Sequence, residues 1–239
     1  MSKQMQVLLG FTLGSVLFFK SSSSRLAPAL LQDQNAGERL AQAQEVLGAT
    51  TAKKIVASTR ERHDLKRFIA SEVRRQLPPR YKSQSASITR TILDESQRRG
   101  LDPLLVMAVI QRESQFDPHA KGRHGEIGLI QIRPATARWI AGQKGIKWHS
   151  SENLFNSSYN LKVGLAYLSY LRHRYNDRSL LYLTAYNLGP ANLQKEVQKK
   201  ALRETTFLPH SYRDQVTKNY VTFYKSWTQS RESRLLALY

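Results

Sequence analysis

One glutamate gathers the chemistry that this sequence offers. Glu113 follows the run Leu104-Leu105-Val106-Met107-Ala108-Val109-Ile110, and Val106, Val109, Ile110 and Glu113 recur at the i, i+3, i+4, i+7 spacing of a single helical face. A carboxyl that continues an apolar stripe is drawn toward the interior. It also stands near the helix C-terminus, where the macrodipole disfavours negative charge. Both effects raise a carboxylic acid's pKa. Lifting a glutamate from about 4.3 to about 6 costs roughly 2.3 kcal/mol, which a proton-transfer role would justify. Spacing alone leaves a structural explanation open: a glutamate paired with an arginine such as Arg112, or one exposed past the helix end.

Other polar groups stand at intervals after it. Ser114 can bond beside the carboxyl or orient a substrate, or can simply end the helix. Gly128, in Gly128-Leu129-Ile130-Gln131, suits a place where backbone approaches a ligand closely, although a turn glycine is the commoner meaning. Gln131 carries amide donors and an acceptor for hydroxyl or acetamido groups. Tyr186 and Asn187, in Ala185-Tyr186-Asn187 with Gly189 two positions on, pair a flat apolar face with an amide. Tyr220, in Lys218-Asn219-Tyr220-Val221, is a late tyrosine whose hydroxyl could lie near Glu113. Tyrosines on helices are more often core than ligand-binding.

In this order and spacing the four stretches resemble the motifs of the lysozyme-like soluble lytic transglycosylases: Glu-Ser, Gly-Leu-Met-Gln (with Ile130 in place of methionine), Ala-Tyr-Asn and Tyr-Val. The resemblance covers residues 85–230 and not residues 1–84. It implies a mainly α, lysozyme-like helical domain with a substrate cleft. It implies Glu113 as the catalytic residue and Ser114, Gly128, Gln131, Tyr186, Asn187 and Tyr220 as substrate-binding residues, with no metal or cofactor. The implied substrate is the peptidoglycan glycan strand, cut at the β-1,4 bond between N-acetylmuramic acid and N-acetylglucosamine.

Ordinary glycoside hydrolysis uses two carboxyl groups flanking the bond. The family pattern supplies Glu113 alone, so it would act twice. It first protonates the glycosidic oxygen. It then takes the proton of the muramyl C6 hydroxyl as that oxygen attacks C1 and closes a 1,6-anhydro ring, an intramolecular step favoured by proximity. Two other acids lie nearby. Asp117 precedes Pro118 and reads as a turn residue. Glu126, in a glycine-flanked loop, could approach the cleft and keeps a lysozyme-type hydrolase in play. A non-catalytic wall-binding protein on the same fold is the third reading.

These residues need helices to place them. The pattern predicts helices over about Ser85–Arg99, ended by Gly100, and from Pro103, capped by Asp102. Further helices are predicted at Pro134–Ile140, at 159–175 with Leu161, Leu165, Leu168 and Leu171 on one face, at Ser179–Leu188 and at Ser211–Trp227. Gly164 would let two elements approach closely. Between Asp117 and Glu126 a polar loop is expected, with a small irregular or hairpin piece after Glu113. Upstream, Ala36–Leu47 and Arg62–Leu77 read as helices before Pro78-Pro79, in a polar segment (25–84) without evident chemistry. That segment would be a stalk, or helices packed on the catalytic domain. Residues 231–239 read as a tail.

The charge is +19, spread over both halves of the chain, and attracts polyanions without choosing among them. No nucleic acid is expected as partner, since no zipper, finger or phosphate-loop pattern is present. The six histidines form no His-Glu-x-x-His pair. With no cysteine, disulfides, thiolate metal sites and a cysteine nucleophile are excluded. The apolar run Val7–Phe19, about 13 residues long, fits an export signal better than a span of about 20. Residues 1–24 are therefore expected to be a signal peptide or membrane anchor, and the protein to reside in the cell envelope.

Overall fold

The computed structural model describes residues 37, 39–48, 62–201 and 211–236. The proposed signal or anchor, residues 1–24, lies outside them. Nine α-helices are described: α1 (39–47), α2 (Arg62–Gln76), α3 (Ser85–Arg99), α4 (Pro103–Glu113), α5 (Pro134–Gln143), α6 (Ser157–Arg174), α7 (Ser179–Leu188), α8 (Pro190–Ala201) and α9 (Ser211–Leu236). There is no strand among the described residues. Two isolated antiparallel bridges, Lys121 to Ile127 and Ile127 to Ile132, form the expected irregular piece in the loop after Glu113. No described helix is long and apolar enough to cross a membrane.

Helix α4 is the axis of the domain. Every residue from Pro103 to Ile110 is buried, as its all-round apolar surface requires. Its N-terminus is set by Asp102, whose Oδ1 accepts from Leu104 N at 2.8 Å, with Pro103 in the first turn, where a missing N–H costs nothing. Along one side runs α9, which buries Tyr212, Val216, Tyr220, Phe223, Tyr224 and Trp227 at intervals of three and four. Each such side chain contributes on the order of 1.5–3 kcal/mol of burial energy. Helices α3, α6 and α7 complete the core, and α5 packs on α6. Gly100 ends α3 in the left-handed conformation, φ 60°.

The segment before residue 85 is part of this core. Leu65, Phe68, Ile69, Val73 and Leu77 of α2 and its end are buried, as are Ala43 and Val46 of α1. Helix α2 packs on α3 and α9. From α1, the Gln42 side-chain oxygen accepts from Asp102 N, and Glu45 pairs with Arg172, whose Nε donates at 3.0 Å. Residue 84 is therefore not a boundary in the packing: residues 39–48 and 62–84 lie against the helices that follow.

One helix lies outside the expected pattern and two others run past their expected ends; in the first, the one buried leucine leaves the apolar period too weak to read. Helix α8 was not predicted; it buries Leu193 and exposes Val197. Helix α5 runs on past Ile140 to Gln143. Helix α9 continues beyond Trp227 to Leu236, so residues 231–236 are helical.

Candidate active site

Glu113 is the last residue of α4, and the chain turns sharply after it. Gln115 and Phe116 both take positive φ, 52° and 64°, an unfavourable conformation for non-glycine residues. Phe116 is fully buried and anchors the turn. Glu113 lines a cleft of about 930 Å³, which it shares with Arg112, Glu126, Gln131, Tyr167, Tyr186 and Asn187 among others. Burial, the largest influence, pushes its carboxyl up to about 7; the hydroxyl of Tyr212 and the charge of Arg112 act against the rise, and the charge of Glu126 adds to it. Near neutrality the group can thus give a proton and, once ionised, take one back. The Glu113–Arg112 pairing considered from the sequence is not what holds the carboxyl. Its hydrogen-bond partner is Tyr212, which donates to Oε1, while Arg112 lies over the Tyr212 ring at 5.3 Å.

Behind the cleft runs the segment 127–131, which brings Gln131 to the lining and is held from three sides. Ser114 Oγ donates to Leu129 O at 2.8 Å. Tyr186 Oη donates to Ile130 O at 2.8 Å. Asn160, buried on α6, accepts from Ile130 N at 3.0 Å and donates to Ile127 O at 2.8 Å. This close clamp explains Gly128. It has φ +78°, and a Cβ there would lie 2.5 Å from Asn160 Nδ2. Gly164 explains the approach of α6: a Cβ there would sit 2.1 Å from Ile130 Cγ2. Gln131, at φ 47°, donates to Gly128 O at 2.9 Å and Ala120 O at 3.1 Å and borders the cleft.

Of the residues singled out in the sequence, Glu113, Gln131, Tyr186 and Asn187 line the cleft. Ser114 and Gly128 stand behind it and shape the 127–131 segment. Tyr220 stands apart. It is fully buried and donates to Asp102 Oδ2 at 2.6 Å, at the opposite end of α4. The tyrosine that reaches Glu113 is Tyr212, two helical turns earlier on α9, which no motif marked. The signal was there in the 212, 216, 220, 224 spacing of one helix face. Asn160 was missed as well, since an asparagine inside a helical pattern has no distinct signature.

Glu126 does border the cleft. Although its partial burial would raise its pKa, hydrogen bonds from Arg133 and from backbone N–H groups hold it below the ordinary value. Arg133 Nε donates to it at 2.8 Å, and His124 N at 3.0 Å. It is a committed carboxylate. Asp117 is the turn residue expected, its Oδ1 accepting from His119 N at 2.9 Å.

The site is a cleft on a helical domain in which one carboxyl, Glu113, has a raised pKa. Residues 90–207, about half of the chain, match the family described as the transglycosylase SLT domain, and this part of the chain belongs to that family. Among curated relatives, a membrane-bound lytic murein transglycosylase C of Histophilus somni is 37% identical over 101 residues, covering 38% of this chain and 28% of the relative. A membrane-bound lytic murein transglycosylase F of Desulfosudis oleivorans is 34% identical over 109 residues, covering 43% and 22%. The chain thus spans less than a third of the length of these curated relatives. The solved 70 kDa soluble lytic transglycosylase of Escherichia coli aligns over 89% of this chain and 31% of its own, at 20% identity and a TM-score of 0.48.

Proposed function

We propose that this protein is a peptidoglycan lytic transglycosylase that cleaves the β-1,4 bond between N-acetylmuramic acid and N-acetylglucosamine and leaves a 1,6-anhydromuramyl end. The observation that carries the proposal is a single buried cleft carboxyl, hydrogen-bonded by Tyr212, that can give a proton and take it back. Glu113 is held protonated up to about pH 7, whereas Glu126 is bound to Arg133 as a carboxylate. The family membership of residues 90–207 and the names of the relatives support the same substrate.

The chemistry needs one proton carried twice. Glu113 protonates the leaving glycosidic oxygen as the C1–O bond breaks and positive charge develops at C1. The resulting carboxylate accepts the C6 hydroxyl proton while that oxygen bonds C1, which regenerates the acid. Tyr212 orients the carboxyl and stabilises its ionised form between the two transfers. Burial holds the Tyr212 phenol well above its ordinary pKa, so it stays a donor. Gln131, Tyr186, Asn187 and the cationic rim of Arg112, Arg123 and Arg133 are the surface that would meet sugar hydroxyl, acetamido and stem carboxylate groups. Ser114 and Gly128 serve this surface through the 127–131 segment, and Tyr220 serves it only through the far end of α4.

Digestion of purified sacculi followed by mass spectrometry tests the reading. Anhydromuramyl ends are expected from the wild type and no cleavage from Glu113→Gln. Reducing muramyl ends would establish hydrolysis instead, the second reading, which is favoured by the presence of Glu126 in the same cleft. The apolar Val7–Phe19 run and the membrane-bound relatives support residence in the cell envelope, with the N-terminus as signal or tether. Fractionation finding the chain only in the cytosol would refute that.

A further inference from the structure

Beside the cleft lies a second concavity, about 420 Å³, lined by Thr136, Trp139, Tyr167, Tyr170, Arg174 and Pro190 with Ala135. It adjoins the cleft, since Thr136 and Tyr167 border both. Trp139 is 43% exposed and is one of two large hydrophobic side chains left exposed among the described residues. It is nevertheless fixed in place. Its ring meets Tyr170 edge-on at 5.0 Å between centroids and Tyr167 at 6.4 Å, while Tyr167 and Tyr170 lie nearly parallel, 16° apart. Tyr167 in turn meets Tyr186 at 5.7 Å. An aromatic strip therefore runs from the wall beside Glu113 to an open corner on α5 and α6. Arg174 donates to the Tyr170 hydroxyl at 3.0 Å and gives the corner a polar rim.

We propose that this corner is an outer saccharide subsite, in which Trp139 and Tyr170 receive one pyranose ring of the glycan strand beyond those held in the cleft. The proposal rests on the glycan reading of the cleft. A pyranose has C–H faces that suit an aromatic ring and an edge of hydroxyls that suits Arg174 and the tyrosine hydroxyls. Rigid Trp and Tyr side chains supply such contact area at low entropic cost, and an exposed apolar patch rimmed by polar groups marks a binding surface. The concavity is large enough for a sugar ring. A linear polymer leaving the cleft along the strip passes over this corner next.

The test uses the full chain carrying Glu113→Gln, so that ligand persists, titrated with short and long oligomers of N-acetylglucosamine, with and without Trp139→Ala. Thermal melts confirm folding, and Trp139→Tyr, which keeps an aromatic face, serves as the conservative variant. The long oligomer should bind about tenfold tighter than the short one. Trp139→Ala should abolish that advantage while leaving the short oligomer unchanged, and Trp139→Tyr should restore most of it. Equal weakening of both oligomers, or no weakening of either, overturns the corner as a subsite and leaves the cleft reading standing. Failure of both oligomers to bind even with Trp139 intact overturns the cleft reading together with the corner. A Trp139→Ala penalty confined to stem-bearing muropeptides would assign the corner to peptide and overturn the saccharide proposal.

Discussion

The two ends of α4 each carry a carboxyl that meets tyrosines of α9, yet they do opposite things. Asp102, at the N-terminus, is enclosed. Burial raises its pKa, and against that work Tyr220, Tyr224, the Leu104 N–H and the charge of Arg39. The positive end of the helix dipole adds to this support. Glu113, at the C-terminus, has Tyr212 as its hydrogen-bond donor, the unfavourable end of the dipole behind it and a cleft in front. A carboxyl given every partner is a fixture that holds the helix. A carboxyl given one partner and an opening can exchange a proton. The same helix pair thus anchors one end rigidly so that the other can be held in a costly state.

The largest effect that would break this comparison concerns Glu113. Glu113→Gln should reduce cleavage by at least about 10²–10⁴-fold, the usual scale of a lost general acid or base, while melting as a folded protein. Activity within tenfold of wild type would remove Glu113 from the mechanism. The same variant should be the more stable protein in alkali. The carboxyl's folded-state pKa, about 7, lies above its ordinary 4.5, so the folded form holds a proton that the unfolded chain has released between those values. Stability is full below about pH 4.5 and is lost as pH rises through 7. At pH 8, Glu113→Gln should gain about 1–3 kcal/mol over wild type, a gap that closes below pH 5 in paired denaturation curves.

Asp102→Ala should do the reverse. It removes the helix cap and leaves two buried phenols unpaired, costing about 2–4 kcal/mol of stability. Denaturant midpoints would show this, and the pH profile of the activity that survives should be unaltered. A shifted profile would mean the two carboxyls communicate.

Phenylalanine in place of each tyrosine sharpens the contrast further. Activity should fall as pH rises through about 7, because the first step needs the protonated Glu113. The Tyr212 bond lowers that pKa, so Tyr212→Phe should move the alkaline limb to higher pH and slow the reaction about tenfold, roughly the 1.4 kcal/mol of one such bond. Tyr220→Phe should leave the limb in place and cost about 1 kcal/mol of stability. Equal pH shifts from both would refute the division of roles along α9.

The smallest effect is expected from Glu126→Gln. Removing its charge takes away one of the influences that raise the pKa of Glu113. The alkaline limb should therefore move slightly to lower pH, with activity within about tenfold of wild type and anhydro product unchanged. Full inactivation, with reducing ends from the wild type, would make Glu126 a second catalytic carboxyl.

Much of this was determined by the chain's own pattern. The run 104–110 is apolar all round and must be buried, Asp102-Pro103 must start its helix, and the i+7 spacing carries Glu113 to the end of that helix. Gly128 reads from the sequence as a close approach to ligand or a turn, and the approach found is to Asn160. These are local consequences of periodicity and stereochemistry, which travel with the sequence. What the pattern could not supply was the assignment of partners between distant segments. Tyr212 and Tyr220 lie on one face of α9, and only the antiparallel sense of α9 against α4 decides that Tyr212 meets Glu113 while Tyr220 and Tyr224 meet Asp102. Likewise Gln42 and Glu45 read as polar residues of an unassigned segment until packing set them against Asp102 and Arg172. The raised pKa of Glu113 has the same origin: an apolar stripe predicts its direction, but its size depends on how many donors, charges and waters the tertiary fold leaves around one carboxyl.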